Sequence, residues 1–545
     1  MPIRRTLAVA LLLTGCSGGS GAGADTPDAG DGTGDAGDGA DAASVECISP
    51  ATCAVKWEQA ASDKYDSVLG SPTDLAAFLK AVPKGGDLHN HLTGAVYAET
   101  YLGWAKADGD CVNTSTFAVV YGSQCSASTQ AVPTSGTFYD QIVRAWSMKD
   151  FVAGAETGHD HFFATFGKYG TIAGAHHDAD VADVMKRASD ENEVYVETML
   201  NLAQNTGTLA ATVWTQTVTT ANLQAFYDAL VGNAGFAAAI AADVKVVTSL
   251  DGYAKKALGC TAVPAPAACK VGVRYVAQVA RTGALDDLFG QLVGAFEMAA
   301  QAPQIVALNL SSPEDATTSL KNYDLHMAML DFLHAKYTTT KKSPLHVTLH
   351  AGEVVPKYLP SGYATANTFH VRHAVETGHA ERIGHGVDVM SETDPAGLMA
   401  EMSQKGVLVE VCLSSNDQIL EVKGASHPLR EYLNKKVPVA LATDDQGVSR
   451  SSLAGEYYRA ATDQKLTYRE LKLTARNSLE HSFLPGASLW TAIDGAVPVD
   501  ACAATDTMGV GDPASPTCQA FLDASEKATI EWELERRFRE FESKQ

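Results

Sequence analysis

Apolar residues along this chain gather after residue 83 into short runs, each closing on polar residues, with stretches of helical periodicity between them. Runs near 86–92, 194–200, 272–280, 304–311, 345–350, 381–385, 407–413 and 437–443 are read as strands. Eight strands alternating with helices predict an α/β fold, a closed parallel TIM (β/α)8 barrel with inserted helices. An open doubly wound sheet is the rival, but its usual Gly-rich phosphate loop is missing after the first strand. Before that strand, Ser71 to Ala81 reads as a helix closed by Pro83.

Two spacings exceed an ordinary crossover, 93–193 and 201–271, and both insertions are expected to rim the C-terminal mouth of the barrel. The first holds the aromatic run His161-Phe162-Phe163-Ala164-Thr165-Phe166, which suits ordinary helix packing or the wall of a pocket for a flat base. The tip of the second is the Ala/Pro-rich 260–269 loop. Beyond residue 466 come an Asn-Ser-Leu-Glu-His-Ser-Phe helix, a Cys-bounded loop and a charged helix from Glu531 to Lys544, read as a solvated cap.

The N-terminus changes the picture of location. Arg4-Arg5 precede an apolar run from Thr6 to Thr14, too short to span a bilayer in a mature protein and shaped like an export signal. Leu13-Thr14-Gly15-Cys16 is similar to the bacterial lipobox, which implies a signal peptide over 1–15 and lipid attachment at Cys16. Ser17 resembles the sorting residue that permits outer-membrane delivery. Residues 16–46 are then a Gly/Ala/Asp-rich tether that cannot repay its ordering entropy. The catalytic unit is expected over 47–545.

Cysteine usage agrees with export. Eight of the ten cysteines fall into near neighbours, Cys47 with Cys53, Cys111 with Cys125, Cys260 with Cys269 and Cys502 with Cys518, and are read as disulfide-closed loops. Cys412, in an apolar run, is read as a reduced core residue. A net charge of −23 makes nucleic acid an unsuitable partner, and a small solute suits it better.

Four strand ends carry the candidate chemistry. In Gly86-Asp87-Leu88-His89-Asn90-His91 the two histidines share one side of a strand and can share one divalent ion. The run to His350, turning at Gly352, delivers a third imidazole and, three residues on, the carboxyl of Glu353, placed to shuttle a proton. His346, on the same strand, is read as structural. Gly384-His385-Gly386 puts a histidine between small neighbours that permit close approach. Thr443-Asp444-Asp445 ends an apolar strand in paired carboxylates, of which Asp444 completes a metal shell and Asp445 stays free for water or substrate. Three histidines and one aspartate suit zinc.

This order of ligands resembles the adenosine deaminase branch of the metal-dependent amidohydrolase superfamily over roughly residues 70–485. Pro83-Lys84-Gly-Gly-Asp-Leu-His-Asn-His-Leu92, His350-Ala-Gly-Glu353, Ile383-Gly-His-Gly386, Thr443-Asp-Asp445 and Val409-Glu-Val-Cys-Leu-Ser-Ser-Asn416 carry it. The resemblance implies one zinc per chain on His89, His91, His350 and Asp444. His385 would take a proton from the attacking water, Glu353 would protonate ring N1 and Asp445 would bind N7. The implied reaction turns adenosine, and 2'-deoxyadenosine, into inosine or its deoxy form and ammonia. Thr93 stands where the family often has an Asp that contacts the sugar, followed by the expected Gly94, and Ser312-Pro313 stands where a glycine N–H reaches the purine. These departures keep adenine, a modified adenosine or another mononuclear-metal amidohydrolase reaction as alternatives. Oligomeric state is not read from the sequence, and the lipid anchor is the one membrane contact expected.

Overall fold

The computed structural model describes residues 50–545 apart from 123, 203, 366–367 and 504–514. The signal, Cys16 and the tether expected for 1–46 lie outside the described residues. All eight expected strands form, with bounds within a few residues of those read from the pattern: β1 (Gly86–His91), β2 (Tyr195–Leu200), β3 (Gly272–Ala280), β4 (Ile305–Ser311), β5 (His346–Ala351), β6 (Arg382–His385), β7 (Leu408–Val411) and β8 (Val439–Leu441). They pair in parallel in sequence order, the arrangement that helical crossovers between successive strands enforce.

The barrel draws together between its first and last strands through polar links. The Asp444 N–H donates to the carbonyl of His89 at 2.8 Å, and the His91 N–H to the carbonyl of Asp444 at 3.3 Å. Asp87 accepts from the Thr443 hydroxyl at 2.5 Å and from the backbone N–H groups of Thr443 and His89. The seam thus sets Asp444 beside the two histidines of β1.

Strand β1 is buried throughout, and Asp87, His89 and His91 face the barrel interior while Leu88 and Leu92 join the apolar layer that also holds Val196, Val273, Leu308, Leu349, Ile383 and Val409. The helix Pro72–Ala81 enters β1 under a Ser71 cap. Lys84 closes its far end by donating to the carbonyls of Lys80, Val82 and Glu191.

Two sequence expectations are corrected. The 260–269 loop does not rim the mouth. It leads directly into the start of β3 after the 24-residue helix Ala234–Ala257 has returned along the outside of the barrel, so it lies at the N-terminal end of the strands. The last helix, Glu526–Glu542, starts earlier than expected and is no solvated cap. It buries Trp532, Leu534 and Phe538, and its carboxylates Glu535 and Glu542 are sunk against Arg476 and Lys472 at 2.7 and 2.5 Å.

Disulfides join Cys111 to Cys125, Cys260 to Cys269 and Cys502 to Cys518. The expected Cys47–Cys53 bridge is not among them. Cys53 is a buried free thiol, and Cys47 lies outside the described residues. Cys412 is also buried and free. Among the described residues no single helix is long and apolar enough to cross a membrane. The segments 220–231 and 234–257 pass that test only as a pair bent by 74°, and their Phe226, Phe236, Ile240 and Val247 are spent in the barrel's core.

Candidate metal centre and active site

The strand ends bring four donor atoms to one point. His350 Nε2 lies 3.2 Å from His89 Nε2 and 3.2 Å from His91 Nε2, while Asp444 Oδ1 lies 3.3 Å from His91 Nε2 and 3.8 Å from His89 Nε2. Four donors at corners of a tetrahedron around a cation with bonds of about 2.0–2.1 Å would be about 3.3 Å apart. His385 belongs to the same cluster, its ring 4.8 Å from that of His89 between centroids, and Asp445 adjoins it.

The protons of the three rings are accounted for on their other side. His89 Nδ1 meets Glu410 Oε2 at 2.7 Å, His350 Nδ1 meets Asn309 Oδ1 at 2.6 Å, and His91 Nδ1 meets Gln278 Oε1 at 3.1 Å. Each acceptor draws the ring proton to Nδ1 and leaves a bare lone pair on Nε2. With the rings neutral, as ligands must be, three lone pairs and a carboxylate converge without a hydrogen to share and repel one another unless a cation lies among them. Burial lowers the His89 pKa, but Glu410, Asp444 and Asp87 outweigh burial and raise it, so the point draws positive charge. Burial holds His350 well below the ordinary imidazole range, so it stays neutral as a ligand must. The residues fit one divalent ion, and this His/Asp cluster is typical of amidohydrolase-superfamily metallohydrolases.

Local backbone makes this convergence possible. Gly384 passes so close to His89 that an added Cβ would sit 2.5 Å from its Cε1. Gly352 turns the chain at φ +78°, where a Cβ would strike Asp388 and Val371. The turn is held by Glu314, which accepts from the N–H groups of Gly352 at 3.1 Å and Glu353 at 2.9 Å. Burial pushes the Glu314 carboxyl up, but His370 and Arg281 outweigh it and hold it at about 2, so it remains an anionic acceptor.

Glu353 is delivered by that turn into a cavity of about 470 Å3. Burial first, then the carboxylates of Asp444 and Glu314, push its own carboxyl well above the usual range, which keeps a proton on it. It stands 3.6 Å from His385 Nε2. Thr93, Ser312, Asp444 and Asp445 line the same cavity, and Gly94 lies directly beneath the Asp445 carboxylate. Ser312 has φ +81°, the left-handed region that glycine prefers, so serine here adopts a glycine's backbone. Phe162, Phe163, Phe166 and Tyr169 of the helix Gly158–Ala175 wall the cavity, and Phe162 and Tyr169 are also buried in a separate apolar cluster. The aromatic run therefore serves both packing and the pocket. No Lys or Arg is among the residues that line it.

Several residues of the site are given no role by the sequence reading, although Glu410 stands inside the Val409–Asn416 motif. Glu410, Asn309 and Gln278 fix the ligands, Glu314 fixes the turn, and Asn201 and Gln278 add amide groups to the cavity. Arg382 pairs with Glu410 and Glu197, both at 2.6 Å. Glu410 did leave a signal: it is the lone carboxylate in the buried run Leu408–Val411. His346 lies outside the site, half exposed and paired with Glu381 at 2.9 Å. It lines a second cavity of about 420 Å3 at the other end of the barrel.

A family model described as adenosine deaminase matches residues 253–494. The adenosine deaminase of Erwinia tasmaniensis is 31% identical over 219 residues, covering 40% of this chain and 58% of that protein. The adenine deaminase of Rhizobium leguminosarum is 30% identical over 196 residues, covering 35% of this chain and 53% of that protein. The chain thus spans about half the length of these curated relatives. An Arabidopsis N6-mAMP deaminase structure aligns with 75% of this chain and 96% of its own, at 20% identity and a TM-score of 0.47.

Proposed function

Because this chain belongs to the metal-dependent amidohydrolase superfamily and is related to the adenosine and adenine deaminases, we propose that it hydrolyses the amino group from a purine nucleoside, giving inosine and ammonia from adenosine. The observation that carries this reading is the company the donor cluster keeps. Three imidazoles and Asp444 converge beside Glu353, a carboxyl that retains its proton, in a cavity walled by aromatic rings.

His89, His91, His350 and Asp444 would hold one zinc ion. When bound, the ion would lower the pKa of the hydrolytic water and so supply the nucleophile at neutral pH. The chain's own residues do the rest. Glu410, Asn309 and Gln278 aim the ring nitrogens. The flat base stacks against Phe163 and Phe166. Glu353 gives its proton to the ring nitrogen next to the reacting carbon, which makes that carbon electrophilic. Asp445, held over Gly94, keeps its proton because of burial and the neighbouring Asp444 charge, and donates a hydrogen bond to the lone pair of N7. One carbon–oxygen bond forms and one carbon–nitrogen bond breaks. Of the two water protons, one completes the ammonia and the other replaces the proton Glu353 gave.

The lining without Lys or Arg disfavours a phosphorylated substrate. Thr93 and the Ser312-Pro313 turn favour a second reading, in which adenine or a modified adenosine is preferred. Thr93 cannot offer a charged acceptor to two sugar hydroxyls. Ammonia release from adenosine, 2'-deoxyadenosine, adenine and AMP at equal concentration separates these cases. The primary reading predicts the two nucleosides first and AMP last, whereas adenine ahead of both nucleosides would replace it. We also propose, from the lipobox-like Leu13–Cys16 and the tether, that the protein is an exported lipoprotein of the outer membrane.

A further inference from the structure

Which ring nitrogen of His385 carries the proton decides whether this group gives or takes a hydrogen bond in the cavity. The answer is written outside the cavity, in a chain of three buried groups. It starts at a backbone amide, whose polarity is fixed by chemistry. The Leu429 N–H donates to His427 Nδ1 at 3.1 Å. A neutral His427 must then carry its proton on Nε2, and burial holds this imidazole at about 3, far from its charged form.

From there the polarity propagates. His427 Nε2 lies 3.1 Å from Asn416 Oδ1, so this contact runs from His427 to the amide oxygen. The other end of the same amide, Asn416 Nδ2, then faces His385 Nδ1 at 2.9 Å and donates to it. Turning the amide around would set its NH2 against the Nε2–H of His427, donor against donor. His385 and Asn416 have no exposed surface and His427 only 3%, so no solvent relieves such a clash. With Nδ1 occupied as an acceptor, neutral His385 bears its proton on Nε2. That atom is fully buried and has no hydrogen-bond partner, and it lies 3.6 Å from the carboxyl of Glu353, which lines the cavity.

We propose that His427 and Asn416 are positioning residues that lock His385 in its Nε2–H form, so that His385 donates a hydrogen bond to the oxygen being added to the reacting carbon. This departs from the sequence expectation that His385 takes the water's proton. The water's protons then go to the departing ammonia and to Glu353, which stands 3.6 Å from His385 Nε2 and has given its own proton to the ring. The identity of that oxygen rests on the proposed function. The tautomer rests on the hydrogen-bond chain alone.

Two substitutions at residue 427 separate polarity from packing. His427→Gln keeps the direction of the chain: its oxygen accepts the Leu429 N–H and its NH2 donates to Asn416 Oδ1. His427→Glu reverses it, because a carboxylate takes both the Leu429 N–H and the Asn416 NH2, turning Asn416 Oδ1 toward His385 and drawing the ring proton to Nδ1. In the zinc-loaded full chain, 15N NMR of labelled histidines, with His385→Asn to assign the signal, is expected to show Nε2–H in the wild type and in H427Q, and Nδ1–H in H427E. Removing one such donor costs about 10²–10³-fold in kcat, so H427E should lose that much with zinc content unchanged, while H427Q stays within about threefold of wild type. Nδ1–H in the wild type, or equal kcat in H427E and H427Q, overturns the proposal. If no aminopurine is turned over, the proposed function fails, and the NMR signal still decides the tautomer. If H427E does not fold, the wild-type and H427Q spectra decide it.

Discussion

Glu410 is the residue through which the metal centre is most exposed to a single substitution. It is fully buried and serves three donors: Oε2 accepts from His89 Nδ1 at 2.7 Å, and Oε1 accepts from Thr348 Oγ1 at 2.9 Å and Arg382 Nε at 2.6 Å. Glutamine at this place has one oxygen and one NH2. If the oxygen stays with Thr348 and Arg382, the NH2 faces His89 Nδ1 and pushes its proton to Nε2, which removes the lone pair a cation needs. If the oxygen turns to His89, the NH2 meets Thr348 and Arg382 head on. Loss of an outer partner of a metal-ligating histidine typically weakens metal affinity about 10–100-fold, or about 1.4–2.8 kcal/mol. Breaking a buried ion pair costs about 3–5 kcal/mol of stability, and Glu410→Gln should fall near the lower figure because Arg382 keeps Glu197 at 2.6 Å. Chelator competition gives the zinc Kd, and denaturant unfolding of the metal-free protein gives the stability. Glu197→Gln is the control, since Glu197 holds Arg382 and the Phe483 N–H but does not touch His89. It should lose stability with little change in zinc Kd. Glu410→Gln binding zinc within twofold of wild type while folded would refute the reasoning.

Gly94→Ala places a Cβ on the Asp445 carboxylate and must displace it. A shift of about 1 Å there should lower kcat/KM about 100-fold, with zinc content unchanged, as steady-state kinetics and metal analysis would show. His326 is buried with no partner on either ring nitrogen, and burial, helped by the Arg281 charge, lowers its pKa to about 3. The folded protein leaves it neutral while the unfolded chain protonates it below about 6.5, so its share of stability is present above that pH and is lost as pH falls toward 3. At about 1.4 kcal/mol per pH unit, His326→Leu should lose about 2 kcal/mol less than wild type between pH 7 and pH 5 in urea titrations.

The barrel was legible because its strands are buried on both faces and stand out as apolar runs between polar turns. The ligands were legible because a strand's period of two sets His89 beside His91, and because His350 and Asp444 each end an apolar run. Their partners were not. Glu410 lies 321 residues from His89, and no local pattern says that the two meet. The C-terminal helix misled because its charges pair with residues far back in the chain, Lys472 and Arg476, and so could be buried. The 260–269 loop misled because loop composition does not tell one end of a barrel from the other. That is set by the helix Ala234–Ala257, about 36 Å long, which carries the chain back to the start of β3.

The most direct test of the central claim follows the ultraviolet spectrum of adenosine and the release of ammonia in the presence of the zinc-loaded protein and its Glu353→Gln variant. The account predicts conversion to the inosine spectrum with one ammonia per nucleoside, slowed about 10²–10⁴-fold in the variant although it holds the same zinc. An unchanged spectrum with zinc bound, or equal rates in the two proteins, would contradict it.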